Sequence, residues 1–360
     1  LIYKQKKNEN FYTIKMKLSE FDYGLPQELI AQRPAEERDH SRLMVVDKQK
    51  GRLLHSQFKN LPEFIQQGDL LVLNDTKVIP ARLIGKKSGT GGRVELLLLE
   101  SAGGTSWRCM FKRGKRLAKG SGIIFKDGQL RAKVAEEVNE GKGVVEFDYS
   151  GDFWEVLDRL GNVPLPPYIQ RKQGHSFQDV ERYQTVFARD PGSCAAPTAG
   201  LHFTENVFKG LKDAGANLAF VTLHVGPGTF VPIRTDDIEQ HRMEPEFFRV
   251  PPETAEAMKK ARRNGSRVIP VGSTALRCVE SAFRDGDGKV APRGYTDLFI
   301  YPGYTFQRIN GLITNFHLPR STLFVLVCAL AGTTLTKQAY TEAIKNRYRF
   351  YSYGDAMIVV

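Results

Sequence analysis

Arg82-Leu83-Ile84-Gly85-Lys86-Lys87-Ser88-Gly89-Thr90-Gly91-Gly92-Arg93-Val94-Glu95-Leu96-Leu97-Leu98-Leu99 sets two short apolar runs on either side of a glycine turn. A dinucleotide-binding loop would need a third glycine at fixed spacing and a helix behind it. The run that follows Gly92 reads as strand, so the glycines form a turn between strands. The same texture continues on both sides: Leu70 to Leu73, Trp107 to Phe111, Gly122 to Phe125, Leu130 to Val134 and Gly143 to Phe147 are β-rich runs, cut by glycines at 103–104, 114, 120, 128 and 141. Closely spaced strands with no helical stretch between them predict a small antiparallel barrel or sandwich over residues 72–149.

Beyond Gly161 strands alternate with helices. Leu218 to Val225, Arg267 to Val271, Asp297 to Tyr301 and Gly311 to Thr314 are expected strands. Thr204 is placed to cap a helix stopped at Gly215, Pro251-Pro252-Glu253 opens another that closes at Asn264-Gly265, and Ser321 or Thr322 starts an apolar helix ending near Gly332. This alternation predicts an α/β domain, discontinuous in sequence, built from 16–71 and 150–360 with the β module inserted. Residues 1–15 are basic and polar without an apolar core, and read as a tag or upstream extension ahead of Met16.

The net charge of +12 is concentrated in one place. From Arg82 to Ala135 thirteen Lys and Arg face only Glu95, Glu100 and Asp127, whereas most of the chain is near neutral. Lys112, Arg113, Lys115, Arg116 and Lys119 fall within eight residues, the electrostatic footprint of a surface that meets a polyanion such as RNA. The longest apolar run, Leu323 to Ala331, is too short to cross a bilayer. Cys109, Cys194, Cys278 and Cys328 are scattered and read as small buried hydrophobes of a reduced, cytoplasmic protein. No spacing of His, Cys, Asp and Glu suggests a metal site.

In open α/β sheets ligands bind beyond the carboxyl ends of strands, and three expected ends run into polar loops. These are Gly226-Pro227-Gly228-Thr229, Gly272-Ser273-Thr274 and Asn315-Phe316-His317-Leu318-Pro319. A fourth stretch, Pro197-Thr198-Ala199-Gly200-Leu201-His202, has the same small and polar character. The Gly272 loop taken alone reads as an ordinary helix cap. His202 and His317 lie in loops, where function is favoured. For His224, in an apolar strand, a hydrogen-bonded core histidine and a ligand contact fit equally. His241 to Glu246 reads as a surface turn. Asn74 to Arg82 joins the two units, where an Asx-type turn is slightly favoured over a cleft lining.

Taken together these strings resemble the S-adenosylmethionine:tRNA ribosyltransferase-isomerases (QueA) of queuosine synthesis. The resemblance runs from Met16 to Val360 and rests on Ser19 to Tyr23, Asn74 to Arg82, Pro164 to Ile169, Ala195 to Thr204, Leu223 to Phe230, His241 to Glu246, Tyr301 to Tyr304, Thr314 to Pro319 and Tyr348 to Met357. The chain departs from the pattern at Cys194, where an aliphatic residue is expected, and at Gly272-Ser273-Thr274-Ala275, where two threonines usually follow the glycine.

The resemblance implies an α/β domain carrying an inserted six-stranded barrel. It implies transfer of the ribosyl part of S-adenosylmethionine to 7-aminomethyl-7-deazaguanine at the tRNA wobble position, giving epoxyqueuosine, adenine and methionine. S-adenosylmethionine is then a consumed co-substrate, with no true cofactor. The RNA partners implied are tRNAs with GUN anticodons (Tyr, His, Asp and Asn acceptors), and the expected protein is a monomer that does not enter membranes. Such chemistry needs a base for the carbon beside the sulfonium and an acid for the departing adenine. The candidates are His202, His224 and His317, with Asp75, Glu244 and Asp297 as carboxylates. Candidate substrate contacts are Asn74, Thr76, Pro197, Thr198, Ala199, Gly200, Gly226, Pro227, Gly228, Thr229, Gly272, Thr274, Arg277, Thr314 and Asn315. The five clustered cations are the candidate tRNA contacts. Two other classes account for part of the pattern: a non-catalytic RNA-binding protein, which leaves the polar loops without a purpose, and a base-exchanging tRNA transglycosylase, which needs no S-adenosylmethionine.

Overall fold

The computed structural model describes residues 15–112, 117–171, 177–230, 232–283 and 290–360. A nine-stranded mixed sheet orders Arg293–Thr296, Glu246–Arg249, Asn217–Leu223, Leu70–Asn74, Val268–Val271, Leu312–Asn315, Ala356–Val359, Arg42–Asp47 and Arg52–Gln57. The four strands from Asn217–Leu223 to Leu312–Asn315 are mutually parallel. Three of them, Leu70–Asn74, Val268–Val271 and Leu312–Asn315, are buried throughout. A parallel strand covered on both faces has no polar side to show, which is why these runs are Leu, Val and Ile apart from Pro270 and turn polar only at their ends, at Asn74, Thr314 and Asn315.

Strands Arg82–Lys87, Arg93–Gly103, Ser106–Lys112, Gly122–Phe125, Leu130–Val134 and Lys142–Asp148 close into an antiparallel barrel. Alternation sets its inside: along Leu130–Val134 buried and exposed residues alternate without a break. Leu83, Leu96, Leu98, Cys109, Phe125, Val134, Val145 and Phe147 fill the interior. The expected start of the inserted unit, residue 72, falls inside Leu70–Asn74, which pairs on both edges within the main sheet; the barrel strands begin at Arg82.

The expected helices form. Thr204 caps Glu205–Asp213 by accepting the Val207 N–H, and Ser321 caps Thr322–Ala331 through the Phe324 N–H. Pro252–Arg263 follows Pro251 and ends at Asn264. All four cysteines are free and buried. No single helix among the described residues is long and apolar enough to cross a membrane.

Asp297 to Tyr301, expected as a strand, is not one. The strand precedes it, at Arg293–Thr296, and pairs with Glu246–Arg249. The ladder stops because the Thr296 hydroxyl accepts the Leu298 N–H, while the carbonyls of Thr296 and Leu298 both accept from the Arg277 guanidinium. The expected surface turn at His241 to Glu246 also needs correction: Glu246 opens a strand and its side chain is buried.

Candidate functional site

The parallel strands deliver Asn74, Leu223, Val271 and Asn315 to one edge of the sheet. Asn74 is buried and acts as a stitch. Its Nδ2 donates to the Leu223 carbonyl (3.0 Å) and Thr274 Oγ1 (3.1 Å), and its Oδ1 accepts the N–H groups of Leu223 (3.0 Å) and Thr76 (3.2 Å). The last bond is the expected Asx turn. Asn74 therefore holds the edge together with its amide fully engaged, and Thr274 accepts one of its bonds.

A second relay runs beside it. Thr198 Oγ1 donates to Asn315 Oδ1 (2.9 Å), Asn315 Nδ2 meets His202 Nε2 (3.1 Å), and His202 Nδ1 meets Ser41 Oγ (2.7 Å). With the amide donating to Nε2, the imidazole carries its proton on Nδ1 and is neutral. Burial pulls its pKa down to about 4. His317 is also buried, with Nε2 2.8 Å from Thr314 Oγ1, and burial pulls it down to about 3. The His317 backbone is clamped from both sides: its N–H donates to Tyr340 (3.0 Å), and the Tyr23 hydroxyl donates to its carbonyl. Pro197, Thr198, Ala199, Gly272, Thr274, Thr314, Asn315 and His317 surround a hollow of only about 30 Å³, room for a water molecule.

The larger space lies next to it, between barrel and sheet. A cleft of about 770 Å³ is lined by His224, Gly226, Pro227, Glu244, Glu246 and Phe247 on one side and by Glu100, Trp107, Arg108, Lys142, Tyr149 and Trp154 on the other. Its size suits a small-molecule site. The two hollows adjoin at consecutive residues, Val225 lining the small one and Gly226 the cleft. A groove of about 740 Å³ between Leu53, His55 and helix Thr333–Lys345 is comparable in volume but lies along the edge strand, away from the carboxyl ends.

His224 stands in the cleft, just past its strand. Its Nδ1 lies 2.8 Å from Thr76 Oγ1 and its ring stacks on Phe247 with centroids 5.7 Å apart. Burial, the largest influence, lowers its pKa below the ordinary 6.5, so the ring is neutral at pH 7. Gly192 is required beside it: φ is 153°, and a Cβ there would sit 2.8 Å from the imidazole Nε2. Of the three candidate histidines, His224 alone lines the cleft.

The carboxylates separate clearly. Glu244 is exposed at the cleft and pairs with Lys142 of the barrel. A second cross-cleft contact joins the Tyr295 hydroxyl to Glu100. Asp75 is buried, accepts the Thr222 hydroxyl (2.7 Å) and pairs with Arg189 (3.1 Å); it lines neither hollow. Asp297 is exposed beyond its strand and also lines neither. Arg277 is buried against Glu246 and donates to the Leu298 and Thr296 carbonyls, so its guanidinium clamps the loop instead of meeting a substrate. Glu246 returns the favour to the cleft by accepting the Gly226 N–H at 2.9 Å. Gly200 packs under Phe187 and Thr185, where a Cβ would come within 2.7 Å. Gly228 lies against the Glu244 carboxylate, and Thr229 belongs to the short turn Pro227–Phe230.

Of the candidate tRNA contacts, Lys112 is exposed and 3.6 Å from Glu95, and Lys119 is exposed; Arg113, Lys115 and Arg116 lie outside the described residues. Sequence reasoning missed Glu246 and the aromatic side of the cleft. The density of rings at Phe147, Tyr149, Phe153 and Trp154, directly after the basic module, was the available signal.

Residues 18–359 match the family model described as "Queuosine biosynthesis protein". A protein of Acetivibrio thermocellus named S-adenosylmethionine:tRNA ribosyltransferase-isomerase is 52% identical over 345 residues, covering 96% of this chain and 100% of that one. Proteins of the same name from Halothermothrix orenii and Caldanaerobacter subterraneus subsp. tengcongensis are each 50% identical, again over 96% of this chain and 100% of theirs. The crystal structure of S-adenosylmethionine tRNA ribosyltransferase from Thermotoga maritima is similar with a TM-score of 0.54 and 36% identity, covering 95% of this chain and 100% of that one.

Proposed function

The chain belongs to the queuosine biosynthesis protein family, and from that premise we propose that it moves the ribosyl part of S-adenosylmethionine to 7-aminomethyl-7-deazaguanine at the wobble position of tRNAs with GUN anticodons. The products are epoxyqueuosine in the tRNA, adenine and methionine. S-adenosylmethionine is the co-substrate and no other cofactor takes part. The protein works as a cytoplasmic monomer.

The observation that carries this reading is a neutral histidine in a cleft that also holds carboxylates. A sulfonium is a cation, and the exposed Glu244 carboxylate and the Phe247 ring give it a favourable wall. The Nδ1 of His224 is engaged by Thr76, which leaves Nε2 for the proton on the carbon beside the sulfonium. His202 and His317, both buried and hydrogen-bonded, position Asn315 and the loop after it rather than exchange protons.

The test is mass analysis of precursor tRNA after incubation with protein and S-adenosylmethionine, with adenine release followed in parallel. The expected results are a mass gain matching epoxyqueuosine and a fall in adenine release of roughly 100-fold or more for His224→Asn. Exchange of a free deazaguanine base without S-adenosylmethionine would overturn the reading in favour of a transglycosylase.

A further inference from the structure

The two walls of the cleft differ in kind. The barrel wall presents Trp107, Tyr149 and Trp154 with Arg108 and Lys142 among them. Trp107 and Trp154 meet edge to face with centroids 6.0 Å apart, and Phe153 packs on Trp107 at 5.4 Å and on Tyr149 at 4.9 Å. Trp154 stays 38% exposed despite its size. It is not a loose ring. It is the second residue of the helix Phe153–Leu160, whose cap Asp152 accepts the Trp154 and Glu155 N–H groups at 2.9 and 3.1 Å. The opposite wall carries Glu244, Glu246, His224 and Phe247.

Charge divides the ligands between these walls. A sulfonium is drawn to the carboxylates, and Arg108 and Lys142 disfavour it on the barrel side. An unpaired base linked to phosphates has the reverse preference, for a ring face flanked by cations. Of the charged groups on the barrel wall, Glu100 is engaged by Tyr295 and Lys142 by Glu244, contacts across the cleft that involve the exposed Tyr295 and Glu244.

We propose that Trp154, backed by Trp107, Phe153 and Tyr149, is a stacking platform for one unpaired base of the RNA substrate, with Arg108 and Lys142 on the adjoining phosphates. This rests on the proposed transferase activity and adds which wall receives the RNA. The chain has two tryptophans, and both line the cleft, so its intrinsic emission reports on that space.

The full-length protein is titrated with a synthetic anticodon stem-loop and, separately, with S-adenosylmethionine. The stem-loop quenches the emission, and S-adenosylmethionine alone quenches it less than a third as much. Trp154→Ala weakens stem-loop binding about tenfold or more, and Trp154→Phe recovers most of the loss. The KM for S-adenosylmethionine stays within twofold in both. Among stem-loops made abasic at one loop position at a time, one position loses the quench. The proposal is overturned if Trp154→Ala binds the stem-loop as tightly as the wild type, if S-adenosylmethionine alone gives the full quench, or if no abasic position matters. Binding needs no turnover: a wild-type protein that binds and quenches but releases no adenine overturns the activity and leaves the platform supported.

Discussion

Thr76 Oγ1 and His224 Nδ1 lie 2.8 Å apart, tying the residue two past one central strand to the residue just past its parallel neighbour. The bond fixes the ring that faces the cleft. Thr76→Val keeps the shape and removes the hydroxyl, so adenine release should fall roughly fivefold to tenfold, the worth of one buried hydrogen bond. Thr76→Ser should recover most of it. Steady-state rates for the pair check the assignment.

The base role proposed for His224 needs the neutral ring, and burial lowers its pKa. The rate of adenine release should therefore be level above pH 6.5 and decline as pH drops through that lowered value. In Thr76→Val the decline should shift. A pH–rate profile limited on its acid side above 6.5 would contradict the role.

Gly192→Ala should cost both stability and activity. A φ of 153° strains any L side chain there, and the added methyl meets, 2.8 Å from Nε2, a ring held by Thr76 and Phe247. Thermal melting compared with adenine release separates the two effects.

Stability should also depend on pH through His202. Its pKa is about 4 in the folded chain against 6.5 when exposed, so the unfolded state binds the proton first as pH falls. The stabilisation is complete above pH 6.5 and is lost progressively down to about pH 4, amounting to roughly 3 kcal/mol. His202→Gln should reduce the slope over that part of a urea-denaturation series, with buried His317 supplying a share of what remains.

Arg277 and Glu246 form a buried ion pair, their side chains 4% and 5% exposed. Removing one partner strands the other charge, so Arg277→Ala should destabilise the fold by about 3–5 kcal/mol. Denaturant unfolding measures it.

The barrel was legible because its signals are local: alternation within a strand and a glycine turn at its end. The carboxyl-edge loops were legible for the same reason. Their roles were not. Asn74, Thr274, Asn315 and Arg277 are read as ligand contacts because small polar residues and a stray cation mark a binding loop, and each is also bonded within the protein, a task the same residue types perform. Only the partner, far away in sequence, tells them apart. Glu246 was hidden in a charged stretch because its burial depends on Arg277, 31 residues on. The strand after Pro292 was misplaced because its limits are set by pairing with Glu246–Arg249 and by the Thr296 turn, neither of which leaves an alternation to read.

Ala356–Val359 lies in the interior of the sheet, flanked by Arg42–Asp47 and Leu312–Asn315. During synthesis the early pair Arg42–Asp47 and Arg52–Gln57 must therefore wait, unjoined to the central strands, until residue 359 clears the ribosome. The barrel strands are contiguous from Arg82 to Asp148 and face no such delay. Vectorial folding would finish the barrel long before the carboxyl edge of the main sheet, leaving a nascent chain with a row of unpaired strand edges exposed to chaperones or to its own copies.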